Sequence, residues 1–168
     1  MQLREYDPQD AEQVLSLNQS NLDAVGPLDV ERLPWLVGLA DSVMVVDDDG
    51  TIAGFVVLVG PESGYDSPNY RWHSDRRTSL YLDRVVVAPT HRRRGIGTLL
   101  YDAAEERAVP YGAMTLEVYA EPPNAGSLAF HAARGYVEIG RLEQAGGKVA
   151  AMLVKVLDRE PANAAAST

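Results

Sequence analysis

The chain has 168 residues, 46% of them hydrophobic and 23% charged, a composition that suits one globular domain with one substantial core. It holds no cysteine, which excludes disulfides, thiolate metal sites and cysteine nucleophiles, and no apolar run approaches the roughly 20 residues that span a bilayer. A net charge of −9 argues against a nucleic-acid backbone as the main ligand, and the first residues lack the basic start and apolar stretch of a secretion signal, so a cytoplasmic location is expected.

Residues 2–6 read as a short strand. Asp7 and Pro8 then open a helix, because an aspartate can cap the free N–H groups and proline suits the first helical position. A second helix is expected over 29–40, with Leu33, Leu36, Val37 and Ala40 on one side. Two strands, 43–47 and 52–59, flank Asp49-Gly50, a hairpin turn that tolerates positive φ. The stretch 60–77 is rich in Gly, Pro, Ser and Asn and reads as a long loop. It carries Tyr65, Tyr70, Trp72 and His73.

Residues 80–87 form a nearly continuous apolar run, the pattern of a buried central strand. Helices are expected over 95–109 and 124–134, the second stopped by Gly135, and strands over 114–119, 136–141 and 149–156. Strand, helix and strand over 80–119 imply a parallel crossover, whereas the earlier hairpin and the closing pair imply antiparallel neighbours. The sheet should be mixed. One domain over 1–157 is expected, followed by an Ala-, Pro- and Asn-rich disordered tail over 158–168. Three scattered histidines make no metal site.

The segment richest in chemistry runs from Val85 to Gly97. A buried strand enters a basic turn, His91-Arg92-Arg93-Arg94-Gly95, which becomes the start of a helix. A helix N-terminus offers unpaired N–H donors and a partial positive charge, and Gly95 and Gly97 remove side chains that would hold a large phosphate away. The order of residues matches neither the P-loop nor the dinucleotide fingerprint. A diphosphate is the natural ligand, with a solvated basic turn as the plainer alternative.

Preceded by Val87-x-Pro89 and followed by an apolar helix, Arg92-x-x-Gly95-x-Gly97 resembles the acetyl-CoA motif of the GNAT superfamily of N-acetyltransferases. Downstream, Asn124-Ala125-Gly126-Ser127-Leu128-Ala129-Phe130-His131 and Arg134-Gly135-Tyr136 resemble that family's second motif. The region around Asn69-Tyr70-Arg71-Trp72 also resembles an uncharacterised branch of acetyltransferases. The resemblance implies an α/β (α+β) fold: a mixed, mostly antiparallel sheet of six or seven strands, helices on both faces, and a splayed parallel pair at its centre.

It also implies acetyl-CoA as cofactor. Backbone groups at Val85, Val86 and Val87 would hold the pantetheine arm, and Arg92, Arg93, Arg94, Gly95, Ile96, Gly97 and Thr98 the pyrophosphate, while Asn124 and Ser127 would touch its far side. Val85 to Val87 are core residues under any function, and Asn124 can equally be a helix cap. His131 stands where many members carry a tyrosine general acid, so it is expected either to protonate the leaving thiolate or to pack against the cofactor arm.

Acetyl transfer to an amine needs a base, because an alkylamine with a pKa near ~10.4 is protonated at neutral pH. Asp83 and Glu117, on the two strands of the expected cleft, are the candidates. By simple alternation Asp83 shares a face with Tyr81, Val85 and Val87; either carboxylate could instead pair with Arg84. Tyr70 and Trp72 are expected to wall the site of a small-molecule or peptide amine. The expected partners include no nucleic acid and no membrane, and the chain is expected as a monomer or homodimer. A non-catalytic acyl-CoA sensor of the same fold is the alternative; it would keep the phosphate turn and need no base.

Overall fold

The structure, a computed structural model, describes residues 1–158. All of the expected tail except Asp158 lies outside the described residues. Strand β1 (Gln2–Glu5) leads to Asp7, whose side chain accepts from Gln9 N at 2.9 Å while Asp10 Oδ2 accepts from Asp7 N at 2.8 Å. This reciprocal cap starts a short 3-10 turn that continues as α1 (Ala11–Gln19). Helix α2 (Arg32–Leu39) begins later than the expected residue 29. Asp29 is its side-chain cap, accepting from Arg32 N at 2.7 Å.

Strands β2 (Ser42–Asp48) and β3 (Thr51–Val59) meet at Asp49 and Gly50, with φ of 52° and 87°. Two consecutive positive φ values are what a tight hairpin turn requires. The expected loop over 60–77 contains a helix, α3 (Pro68–Ser74), capped by Ser67 Oγ, which accepts from Tyr70 N at 3.3 Å. Then follow β4 (Leu80–Val87), α4 (Ile96–Ala108), β5 (Ala113–Glu121), α5 (Ala125–Ala133), β6 (Val137–Glu143) and β7 (Val149–Val156).

The seven strands form one sheet in the order β1-β2-β3-β4-β5-β7-β6. Every neighbouring pair is antiparallel except β4 and β5, which are parallel. Each face has its own core. On one, Ile96, Leu100, Tyr101 and Ala104 of α4 pack over Leu82, Met114 and Leu116; on the other, Val14, Leu33 and Leu36 of α1 and α2 pack over Val45, Phe55 and Val57. Gly54 lets α4 approach β3 closely. A Cβ there would lie 2.9 Å from Val86 O and 3.0 Å from Ile96 Cγ2. Among the described residues no helix is long and apolar enough to cross a membrane.

Candidate active site

The site begins with a failure of pairing. Strands β4 and β5 are in register only at Leu80 with Met114 and Tyr81 with Thr115. On the other edge of β4, Leu58 pairs with Leu82 and Val57 with Arg84, which leaves Asp83 as an extra residue. Such a bulge bends its strand and increases the local twist. Beyond Tyr81 the β5-facing edge of β4, including Val85 to Val87, therefore has no strand partner. A cavity of about 340 Å³ occupies the gap.

The bulge also corrects the expected face of Asp83. Tyr81, Val86 and Ala88 belong to the core under α1 and α2, whereas Leu80, Leu82, Val85 and Val87 meet the core under α4. Tyr81 does not share a face with Val85 and Val87, because the extra residue reverses the alternation between them. The cavity consequently passes from one side of the sheet to the other.

On the α4 side, the turn at 92–98, none of whose residues lines the cavity itself, is suited to an anion. Gly95, with φ of 80°, caps α4 without any side-chain hydrogen bond, so the first-turn amides keep their donors. A Cβ on Gly97 would meet nothing within 4 Å, leaving room in front of them. Arg92 donates to Asn21 Oδ1 at 3.2 Å and Arg94 to Asp48 Oδ2 at 3.2 Å, while Arg93, with φ of 61°, has no partner among the described residues. Donors, open space and three arginines fit a diphosphate. Coenzyme A should raise the melting temperature, and Gly97→Glu should abolish that shift in thermal-shift assays. A glutamate in the first turn favours the helix dipole, so the variant should fold, and a normal shift with it would overturn the assignment.

Farther along this side, Asn124 caps α5 by accepting from Ser127 N at 3.2 Å, and both residues line the cavity. His131 is buried. Its Nδ1 lies 2.7 Å from Ser127 O, a carbonyl that can only accept, so Nδ1 carries the proton. Burial holds the ring's pKa below its ordinary value, so the imidazole is neutral and Nε2 accepts the Tyr101 hydroxyl at 2.7 Å. His131 has no N–H left for a leaving group. Of the two roles open to His131 this geometry favours packing, and Tyr101, whose hydroxyl it accepts, lines the cavity beside it.

Across the sheet the cavity is lined by Tyr65, Ser67, Asn69, Asp83, Arg84 and Glu117. Asp83 is committed twice: Tyr65 donates to Oδ1 at 2.5 Å and Arg84 Nε to Oδ2 at 2.7 Å. Arg84 is in turn anchored to Asn18 Oδ1 at 2.9 Å and Gly26 O at 3.0 Å. Glu117 differs, because its partners are neutral. Tyr81 Oη stands 2.8 Å from Oε1 and 2.9 Å from Oε2, and Asn69 Nδ2 donates to Oε1 at 3.0 Å. Burial pushes its pKa up to about 8; the hydrogen bonds from Tyr81 and Asn69 oppose that rise, and the charge of Asp83 adds to it.

The two aromatics expected to wall the acceptor do not line this cavity. Tyr70 is buried in the core, donating to Gly60 O at 2.8 Å and accepting from Ser63 N at 2.9 Å. Trp72 covers Gly140 of β6, where an added Cβ would lie 2.6 Å from Cζ2 of the indole. The physical reason is α3: helical winding turns Tyr70 inward and leaves Asn69 facing the cavity. His73 also lies on α3 and not in a loop, with Nε2 3.0 Å from Leu116 O. Sequence reasoning missed Tyr65, Asn69, Tyr81, Tyr101 and Gln144 as site residues. Ser67-Pro68, a cap followed by a first-turn proline, was the available signal for α3.

Comparison with known proteins agrees with this geometry. The Acetyltransferase (GNAT) family matches residues 11–136. The L-2,4-diaminobutyric acid acetyltransferase of Nocardia farcinica is 32% identical over 101 residues, covering 60% of this chain and 46% of that protein. The match thus spans just under half of that relative's length. Ard1 from Thermoplasma volcanium superposes with a TM-score of 0.75 at 22% identity, covering 93% of this chain and 97% of that one. The yncA protein of Salmonella typhimurium, solved with its cofactor acetyl-CoA, gives 0.70 at 21% identity over 99% of both chains. These two likenesses show the fold: a seven-stranded mixed sheet opened at its one parallel pair. With the family pattern covering most of its length, the chain belongs to the acetyltransferase (GNAT) family.

Proposed function

We propose that the protein moves the acetyl group of acetyl-CoA to a primary amine of a small molecule or peptide by direct transfer, with Glu117 as the base. The observation that carries this reading is Glu117 itself, a carboxyl on the cavity wall with neutral partners and a pKa pushed up to about 8. An ordinary carboxylate near ~4.3 is a poor acceptor for the proton of an ammonium near ~10.4. Raising the carboxyl to about 8 narrows that gap by roughly 5 kcal/mol. Asp83, held by Arg84 and Tyr65, serves better to anchor β4 than to accept a proton. A sensor that only bound acyl-CoA would have no use for such a group.

Acetyl-CoA, when bound, supplies the thioester that is broken. The amides of Ile96 to Thr98 and the three arginines bind its diphosphate, and the open edge at Val85 to Val87 offers backbone groups to its arm. Glu117 Oε2 takes the ammonium proton. As the new carbon–nitrogen bond replaces the carbon–sulfur bond, Tyr101 Oη gives its proton to the departing sulfur and the second proton shed by the nitrogen restores the phenol; neutral His131 receives that hydroxyl when it is not so used. The Nocardia farcinica relative is named for a diamino acid, which favours small amino-acid-like amines among the acceptors. The absence of cysteine is compatible with a cytoplasmic location.

Measuring acetyl-CoA turnover against a panel of diamino acids, polyamines and peptide N-termini tests this directly. Turnover with one class and its loss in Glu117→Gln is the expected result. Tight coenzyme A binding with no turnover on any amine would instead establish the sensor.

A further inference from the structure

The acceptor end of the cavity is closed by a contact between residues far apart in sequence. Gln144, just beyond β6, faces Asn69 in the first turn of α3, and both line the cavity. The Leu142 carbonyl can only accept, and Gln144 Nε2 donates to it at 3.2 Å, which fixes which end of that amide is nitrogen. The same nitrogen donates to Asn69 Oδ1 at 2.9 Å. Asn69 is then left with its own nitrogen toward Gln144 Oε1 at 3.2 Å and Glu117 Oε1 at 3.0 Å. Four amide hydrogens meet four acceptors. The direction set at a backbone carbonyl is carried through two side chains to the carboxyl.

We propose that Asn69 is a positioning residue for Glu117 and that Gln144 sets its direction, so that α3 and the β6–β7 hairpin together determine which carboxyl oxygen meets the amine. The proposal rests on the reading of Glu117 as the base. Oε1 receives both Asn69 and Tyr81, while Oε2 has only a share of the single Tyr81 hydrogen and keeps a lone pair for the acceptor. A flipped Asn69 would turn its oxygen toward the carboxylate. Gln144 prevents that flip. The other titratable or charged groups around Glu117 are Tyr81, Asp83 and Arg84 of β4, Tyr65, Tyr101 of α4, Tyr119 of β5, His131 of α5, and His73 of α3, whose Nε2 is occupied by Leu116 O. Substituting Asn69 changes none of these groups.

The test is a carbon-13 NMR titration of glutamate carboxyls in the protein without acetyl-CoA, with the Glu117 signal assigned by its loss in Glu117→Gln. Asn69→Leu removes a donor to the charged form and should raise the midpoint by roughly one to two pH units. Asn69→Asp, of equal size but without N–H and with a like charge, should raise it further. Gln144→Leu should shift it the same way by less. In steady state the rising limb of kcat/KM, which reports the free enzyme, should follow each midpoint. Steric support alone would leave the midpoint of Asn69→Leu close to wild type, because leucine keeps the size and loses only the donor. A midpoint unmoved in Asn69→Leu overturns the proposal. Undiminished turnover by Glu117→Gln would remove the base reading instead, and the titration would still report whether Asn69 controls the carboxyl.

Discussion

Glu117→Gln should lower kcat by about 10²–10⁴-fold, the range for removing a positioned general base, while making the folded protein more resistant to heat at alkaline pH. The second effect follows from linkage. Glu117 has a folded pKa of about 8, far above the value near ~4.3 of an unfolded glutamate. Between these values the folded protein keeps a proton that the unfolded chain releases. The stabilisation is complete below about pH 4, declines as pH rises, and is gone once the folded group ionises near 8. Glutamine has nothing to ionise, so the variant and the wild type should melt closest together near pH 4 and diverge progressively up to pH 9.

The divergence is on the order of several kcal/mol, and each 1 kcal/mol shifts the melting temperature of a domain this size by about 2–4 °C. Wild-type kcat/KM should rise through a limb near 8 that the variant lacks. An equal melting difference at pH 5 and pH 9 would show that Glu117 is not a proton-holding buried acid. Full activity of the variant would show that the amine loses its proton elsewhere.

Tyr101→Phe should reduce kcat by roughly 10–100-fold, about 1.4–2.7 kcal/mol in the barrier, without changing the melting shift given by coenzyme A. His131→Phe should cost less, because the ring accepts the Tyr101 proton and donates none toward the cavity. An imidazolium donor would give kcat a falling limb near ~7. Burial instead holds the Tyr101 phenol well above its ordinary value and His131 below its own, so no falling limb is expected up to about pH 9. The double variant Tyr101→Phe, His131→Tyr puts a hydroxyl back on α5 and should recover part of the lost rate. Should His131→Phe lose as much as Tyr101→Phe, with a wild-type limb near ~7, the proton would belong to the histidine after all.

Much of this was legible from local chemistry. Asp49-Gly50 allowed only a tight turn, Asp7-Pro8 only a helix start, and the order from Val85 to Gly97 only a strand that runs through a basic turn into a helix. What escaped depended on contacts between distant residues. Helix α3 spans only seven residues, too short for an apolar period to declare itself, so Tyr70 was expected at the site and Asn69 was not. The partnership of Tyr101 with His131 joins positions thirty apart, and that of Asn69 with Glu117 joins positions forty-eight apart. No spacing rule reaches so far. Asp83 and Glu117 looked equivalent as carboxylates on facing strands, and only their neighbours, a guanidinium for one and neutral donors for the other, separate them.

The bulge at Asp83 has a further meaning when the sequence of β4 is treated as a phase. Strike Asp83 from the string and the rest alternates without error: Leu80, Leu82, Val85 and Val87 to one layer, Tyr81, Arg84, Val86 and Ala88 to the other. A conventional strand, able to zip along β5 to its end, is latent in the chain, and a single inserted letter keeps it from closing. The opening through the sheet is therefore encoded as a frameshift in the hydrophobic pattern, and the residue that causes the slip is the acid that Arg84 and Tyr65 then pin in place.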